Sequence, residues 1–221
     1  MRLLLLCILA YFGFQCATLA YDAPNADFLT ELHQKAESGD ISAQANLAVA
    51  YMYNAQPPSH PSWHSNACQK CEFWARKAAS SGDVGSIYLL GCLQFEDQVS
   101  NRDPKKGRFY LFFSAVHGYK LAQEKYGGLL ADDMEPDDEL ESVAFLTLAK
   151  RPDSGLTKRD EDLRLNLEKK LREKNLLPQL TERLKELREI IQKEQSRPLL
   201  SSGGTLTESD ILNRARELGA K

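Results

Sequence analysis

The cysteines in the first half of the chain carry its clearest signal of chemistry. Cys68 and Cys71 are separated by two residues, the spacing of a thiol–disulfide redox pair, and Cys92 follows them. A thioredoxin-like pair belongs beside a βαβ unit, and no strand pattern flanks this one. A Cys-x-x-Cys at the start of a helix can still lower a thiol pKa. A thiol–disulfide oxidoreductase that uses Cys68 and Cys71 is therefore one hypothesis for function.

Two histidines precede this pair and complete a possible zinc set, which consists of His60, His64, Cys68 and Cys71. Structural zinc sites usually separate their two ligand pairs by a longer segment than the one between His64 and Cys68. Pro61 also stiffens the approach to such a site. We therefore expect no bound metal and no cofactor.

No other residue pattern predicts catalysis. Ser114 lies near His117, but without the glycine elbow that exposes a nucleophilic serine. The acidic run 132–138 lacks the spacing and the glycine of an EF-hand loop. The chain has neither a phosphate-binding loop nor a dinucleotide fingerprint. The sequence thus predicts a protein that is not an enzyme.

The N-terminal segment predicts export. Arg2 is followed by an apolar run from Leu3 to Phe14 and then by small residues that end at Ala20. This pattern is typical of a signal peptide, residues 1–20, cleaved after Ala20. We expect a periplasmic or secreted protein without a transmembrane segment after cleavage. The formal net charge of −3 over 221 residues gives no basic footprint for nucleic acid.

Apolar residues recur with helical periodicity along the following part of the chain. They predict six helices, at 27–38, 41–53, 67–81, 84–95, 103–117 and 121–131. Gly39, Gly82 and Gly118 each follow a helix, where glycine readily takes the left-handed conformation that ends it. Residues 54–66 contain three prolines and predict a loop. Similarity at intervals of about 40 residues indicates stacked two-helix units.

The middle hairpin suggests how the cysteines pair. Cys71 and Cys92 lie at similar heights on two antiparallel helices that meet near Ser81, whereas Cys68 lies about one turn away. An oxidising compartment favours pairing. The spacing favours a Cys71–Cys92 disulfide over Cys68–Cys92, and leaves Cys68 as a spare thiol that could join two chains. A closed loop of this length would stabilise the fold by ~3 kcal/mol in the chain-entropy description.

Residues around these corners resemble the Sel-1-like repeat family, a relative of the tetratricopeptide repeats. The matching motifs are Ala43-Gln44-x-x-Leu47-Ala48-x-x-Tyr51 and Trp74-x-x-Lys77-Ala78-Ala79-x-x-Gly82. The resemblance covers residues 27–150 and implies an all-α fold, a short right-handed solenoid of two to three hairpins within a domain at 21–150. It also implies a non-catalytic adaptor that holds another protein on a concave surface.

In such a fold the first helix of each hairpin lines the concave face. The partner contacts predicted on this basis are Gln44, Asn46, Tyr51, Tyr53, Tyr88, Gln94, Glu124 and Lys125. Two roles for the bound partner stay open. The protein could be an envelope adaptor or secreted interaction factor, or an immunity-type inhibitor of a toxin delivered into the periplasm.

The C-terminal part has a different character. Residues 151–195 form a charged extension, in which leucines spaced four apart predict one helix at 160–174 and another after Pro178. These helices could cap the solenoid or bind a partner helix. Residues 196–221 begin with a segment that contains Pro198, Gly203 and Gly204, and they predict a flexible linker followed by a short terminal helix.

Overall fold

The computed structural model describes residues 26–54, 61–95, 102–133, 138–150, 156–200 and 204–220. The predicted signal peptide lies outside these residues. The described chain is all-helical, as predicted, with ten α-helices and no strand. The helices are α1 (Ala26–Glu37), α2 (Ile41–Asn54), α3 (Pro61–Ser80), α4 (Val84–Leu93), α5 (Pro104–Val116), α6 (Lys120–Asp133), α7 (Asp138–Ala149), α8 (Lys158–Glu173), α9 (Leu177–Ser196) and α10 (Glu208–Glu217).

Three glycine corners join successive helices, as the sequence predicts. Gly39, Gly82 and Gly118 have φ values of 97°, 86° and 85°. Each glycine N–H donates to the carbonyl of the alanine three residues earlier, at distances of 2.9–3.2 Å. The next N–H donates to the carbonyl five residues before it, which completes a Schellman motif. A side chain at these φ values would be strained, so the corner requires glycine.

One predicted loop is partly helical. Residues 61–66 belong to α3, which begins at Pro61 rather than at residue 67. The first turn of a helix has N–H groups without intrahelical acceptors, so a proline there loses no hydrogen bond and supplies a helical φ. The prediction of a loop over 54–66 was therefore wrong for residues 61–66 and for Asn54, which ends α2, while residues 55–60 lie outside the described part.

Helices α1 to α7 pack as successive neighbours, with the most extensive contacts within the pairs α2–α3, α4–α5 and α6–α7. Small residues allow these close approaches. A Cβ on Gly127 of α6 would lie 2.9 Å from the Leu146 side chain and 3.1 Å from the Leu146 backbone nitrogen of α7. Phe112, Tyr126 and Phe145 fill the neighbouring core, with ring centroids 5.0–6.0 Å apart.

The C-terminal helices fold back on this stack. Helix α8 packs against α7, α9 lies against α7 and α5, and α10 lies against α5. Between them, Leu199 and Leu200 lie beside Gly82, and the Leu206 N–H donates to the Ser80 carbonyl at 2.9 Å. These described flanks of the predicted linker are thus packed on the body, and the terminal helix is docked. None of the helices in the described ranges is long and apolar enough to cross a membrane.

Candidate functional site

The cysteines of the candidate redox pair lie in the core. Cys71 on α3 is completely buried, Cys68 is buried and Cys92 on α4 is half-buried. Burial raises the pKa of the Cys71 thiol, and the nearby Cys68 and Cys92 raise it further. A raised pKa keeps this thiol protonated at neutral pH, whereas a redox nucleophile needs a thiolate. All three residues carry thiols in this structure, so the Cys71–Cys92 disulfide stays a prediction.

No other candidate chemistry is assembled among the residues that the structure describes. No group of three or more His, Cys, Asp or Glu side chains is placed to hold a metal in the part of the chain that the structure describes. His60 and the side chain of His64 lie outside that part. The Ser114 hydroxyl donates to the Val84 carbonyl at 3.2 Å, and His117 Nδ1 lies 2.7 Å from the Phe113 carbonyl. These bonds hold Ser114 and His117 to different backbone groups.

Three residues of the predicted partner face are buried. Gln44 Nε2 donates to the Ala36 carbonyl at 3.0 Å, next to the first glycine corner. Gln94 Oε1 accepts a 2.9 Å hydrogen bond from the Asp103 N–H. The Tyr88 ring is enclosed in the core. These side chains stabilise the fold from within and are unavailable as partner contacts in this structure.

A recurring spacing in the sequence explains the role of Gln44. Gln123 Nε2 donates to the Ala115 carbonyl at 3.0 Å, the same bond over the same eight-residue separation, at the third corner. Each glutamine gives a second hydrogen bond to the alanine carbonyl that already accepts the glycine N–H of its corner. The shared position of Gln44 and Gln123 after a glycine was the sequence signal for this structural role.

The other predicted contacts differ in exposure. Asn46 is exposed, and Lys125 is half-buried. Tyr51 is half-buried, and a 2.8 Å hydrogen bond joins its hydroxyl to His33 Nε2. Glu124 accepts a 3.4 Å hydrogen bond from the Thr157 backbone. The side chain of Tyr53 lies outside the described residues.

An aromatic cluster surrounds Tyr51. The His33 ring meets both Tyr51 and Trp74 edge-on, with centroids 5.9 and 5.8 Å apart. The Phe73 ring meets Trp74 edge-on at 5.0 Å. Trp74 is buried, whereas Phe73 is 51% exposed. The cluster therefore runs from the core between α1, α2 and α3 to the surface.

Lysines cover the outer part of this cluster. Lys77 Nζ lies 4.7 Å from the Phe73 centroid and 4.9 Å from the Trp74 centroid, while Lys70 Nζ lies 5.3 Å from Tyr51. Lys70, Phe73 and Lys77 are three and four residues apart and share one face of α3. We call Tyr51, Lys70, Phe73, Trp74 and Lys77 the aromatic–lysine surface. It offers an apolar ring between two cations.

Comparison with known proteins leaves the family open. The chain matches no protein-family model, no curated protein and no solved structure. The resemblance to Sel-1-like repeats therefore rests on the two motifs at residues 43–51 and 74–82.

Proposed function

We propose that the chain is an exported, non-catalytic protein-binding scaffold, an envelope adaptor or secreted interaction factor. In this proposal α1 to α7 form a short right-handed solenoid of Sel-1-like type. The three glycine corners, the recurrent corner glutamines and the successive helix pairs support this interpretation. Repeats of this kind present extended binding surfaces.

One observation carries the binding role: Phe73 is half-exposed between Lys70 and Lys77. Aromatic side chains that become buried on association supply much of the energy of protein interfaces. The flanking ammonium groups favour a partner that presents an apolar side chain beside carboxylates. Phe73 and Lys77 replace the buried Gln44, Tyr88 and Gln94 as the contacts we assign.

The test compares capture of the partner by three purified full-length mature chains. Wild type, Phe73→Ala and Leu165→Ala are used as baits in periplasmic extract or culture medium, and bound proteins are identified by mass spectrometry. Leu165 is 49% exposed on α8, so it matches Phe73 in exposure but lies far along the chain. We expect Phe73→Ala alone to weaken capture, by roughly 30-fold for a hot spot of about 2 kcal/mol.

Equal capture by Phe73→Ala and wild type would reject this surface. The captured protein also separates the two binding roles, since a toxin with hydrolase activity that wild-type protein inhibits would favour the immunity-type role. Export has its own readout, because cleavage after Ala20 gives a mature protein that begins at Tyr21. N-terminal sequencing of the secreted chain measures this directly.

The oxidoreductase alternative receives less support because Cys71 is buried and its thiol pKa is raised. An insulin-reduction assay tests it, with Cys68→Ser as the control. Activity that disappears in Cys68→Ser would replace the scaffold proposal with a redox one.

A further inference from the structure

A cleft of about 410 Å³ lies on another part of the molecule, between the start of α6, the end of α7 and the last turns of α9. This volume is within the range of small-ligand sites. The side chains and backbone that line it are mostly basic or amide-bearing. They are Gly118, Lys120, Gln123, Thr147, Leu148, Lys150, Arg188, Ile191, Gln192 and Gln195.

The lining contains three cations and no carboxylate. Lys120 Nζ donates to the Leu148 carbonyl, which places its ammonium at the C-terminal end of α7. Lys150 Nζ lies 3.2 Å from Glu161, but two bonds from Arg164, of 3.0 and 3.1 Å, also engage that carboxylate. Glu161 is therefore shared between Lys150 and Arg164, and it neutralises the Lys150 ammonium only in part.

Arg188 supplies the least engaged of these cations. It is exposed on α9 and makes no ion pair with another described residue. Its planar guanidinium presents N–H groups in a fork that fits a carboxylate with two parallel hydrogen bonds. Gln192 follows it by one helical turn and Gln195 by two, so their amides line the same side of α9.

Gln123 adds a buried acceptor to this wall. It is 1% exposed, and its Nε2 is held by the Ala115 carbonyl, so the orientation of the amide is fixed. Its Oε1 has no hydrogen-bond donor in the described structure. A peptide carries N–H donors beside its carboxylates, whereas a fully ionised inorganic anion has none. The oxygen is enclosed in this structure, so it is not among the contacts that we assign to a ligand.

We propose that this cleft binds the carboxylates of an acidic peptide segment, with Arg188 and Lys150 as the principal contacts. The inference deepens the proposed function by naming the chemistry of a second contact with the protein partner. It depends on the proposed function in one respect, because it assumes that the ligand is part of a protein.

The test is isothermal titration calorimetry of the full mature chain with a hexaglutamate peptide, a hexaglutamine peptide and citrate. The variants are Arg188→Gln, Lys150→Gln and Lys185→Gln. Lys185 is the matched control, because it lies on α9, is 66% exposed and does not line the cleft. We expect only hexaglutamate to bind, and Arg188→Gln to weaken binding by roughly tenfold or more, the loss of a charge-assisted bidentate contact.

Three results would overturn the proposal: no binding of hexaglutamate, equal weakening by Lys185→Gln and Arg188→Gln, or saturation by citrate alone. The last would assign the cleft to a free small carboxylate. Phe73→Ala separates this proposal from the previous one, since it should leave hexaglutamate affinity unchanged. If the chain captures a partner but does not bind hexaglutamate, the peptide site in the cleft is rejected and the scaffold proposal stands.

Discussion

Replacing Arg214 by alanine should release α10 from the body. Arg214 Nε donates to Glu194 Oε2 at 2.9 Å, and a second guanidinium nitrogen donates to Oε1. The Glu194 side chain is only 2% exposed, so Arg214→Ala leaves a buried carboxylate without its main cation. Breaking a buried pair costs ~3–5 kcal/mol, and we take about 3 because detachment of α10 can expose Glu194 to water.

Amide hydrogen exchange measures this cost where it arises. A loss of about 3 kcal/mol corresponds to roughly 100-fold faster exchange in α10, provided that exchange follows local opening. Glu217→Ala is the matched control. Glu217 is 63% exposed and bonds the same guanidinium at 2.8 Å, so its loss should cost under about 1 kcal/mol. Equal exchange rates in the two variants would refute the idea that the buried pair holds α10.

The double variant Arg214→Met, Glu194→Met gives a second check. It removes both charges and leaves no buried ion, so it should be closer to wild type than Arg214→Ala. The pKa of His117 offers a spectroscopic readout. Burial lowers this pKa and Arg214 lowers it further, whereas Glu194 raises it. Loss of Arg214 should therefore raise the His117 pKa in an NMR titration.

Three more outcomes can be measured. Gly127→Ala should destabilise the protein by about 1–3 kcal/mol in urea unfolding, because the added Cβ would meet α7. The matched variant Gly128→Ala has open space around it and should stabilise the protein by roughly 0.5–1 kcal/mol. Burial alone would raise the pKa of Glu208, but hydrogen bonds from neighbouring cations and a tyrosine lower it to about 2. The contribution of ionised Glu208 to stability is therefore present above pH 4.5 and disappears as pH falls towards 2. Hydrogen exchange in α10 should follow that loss, and Glu208→Gln should weaken the pH dependence, part of which comes from Glu194. Non-reducing peptide mapping of secreted protein should find Cys71 linked to Cys92; free thiols at both would contradict the pairing.

The corners were predictable from sequence because their requirement is local. A positive φ at Gly39, Gly82 or Gly118 needs a glycine whatever surrounds it. Helix periodicity predicts the bounds of the remaining helices to within a few residues, except at the start of α3. There the prolines predict a loop, whereas Pro61 suits the first turn of a helix. The all-helical class follows from those same local signals.

The site was less predictable, because it depends on distant partners. Repeat register placed Gln44 and Gln94 on a binding face, but register does not show which backbone groups lie within reach of a side chain. The exposure of Phe73 follows from the packing of Trp74 inward beside it. The charge pattern does not predict how the C-terminal helices pack on the body either. Arg76 pairs with Glu208 at 3.0 Å, although the two residues are 132 positions apart in the sequence.

That last contact has a consequence for the order of synthesis. Helices α1 to α7 can pack as soon as they have been made, since each contacts its neighbour in sequence. Arg76, Lys106 and Phe109 meet their partners only when α10 has been synthesised. A growing or truncated chain therefore displays a bare basic and aromatic side, and nascent chains with exposed apolar surface attract chaperones or aggregate. A premature stop codon anywhere before α10 leaves that side uncovered.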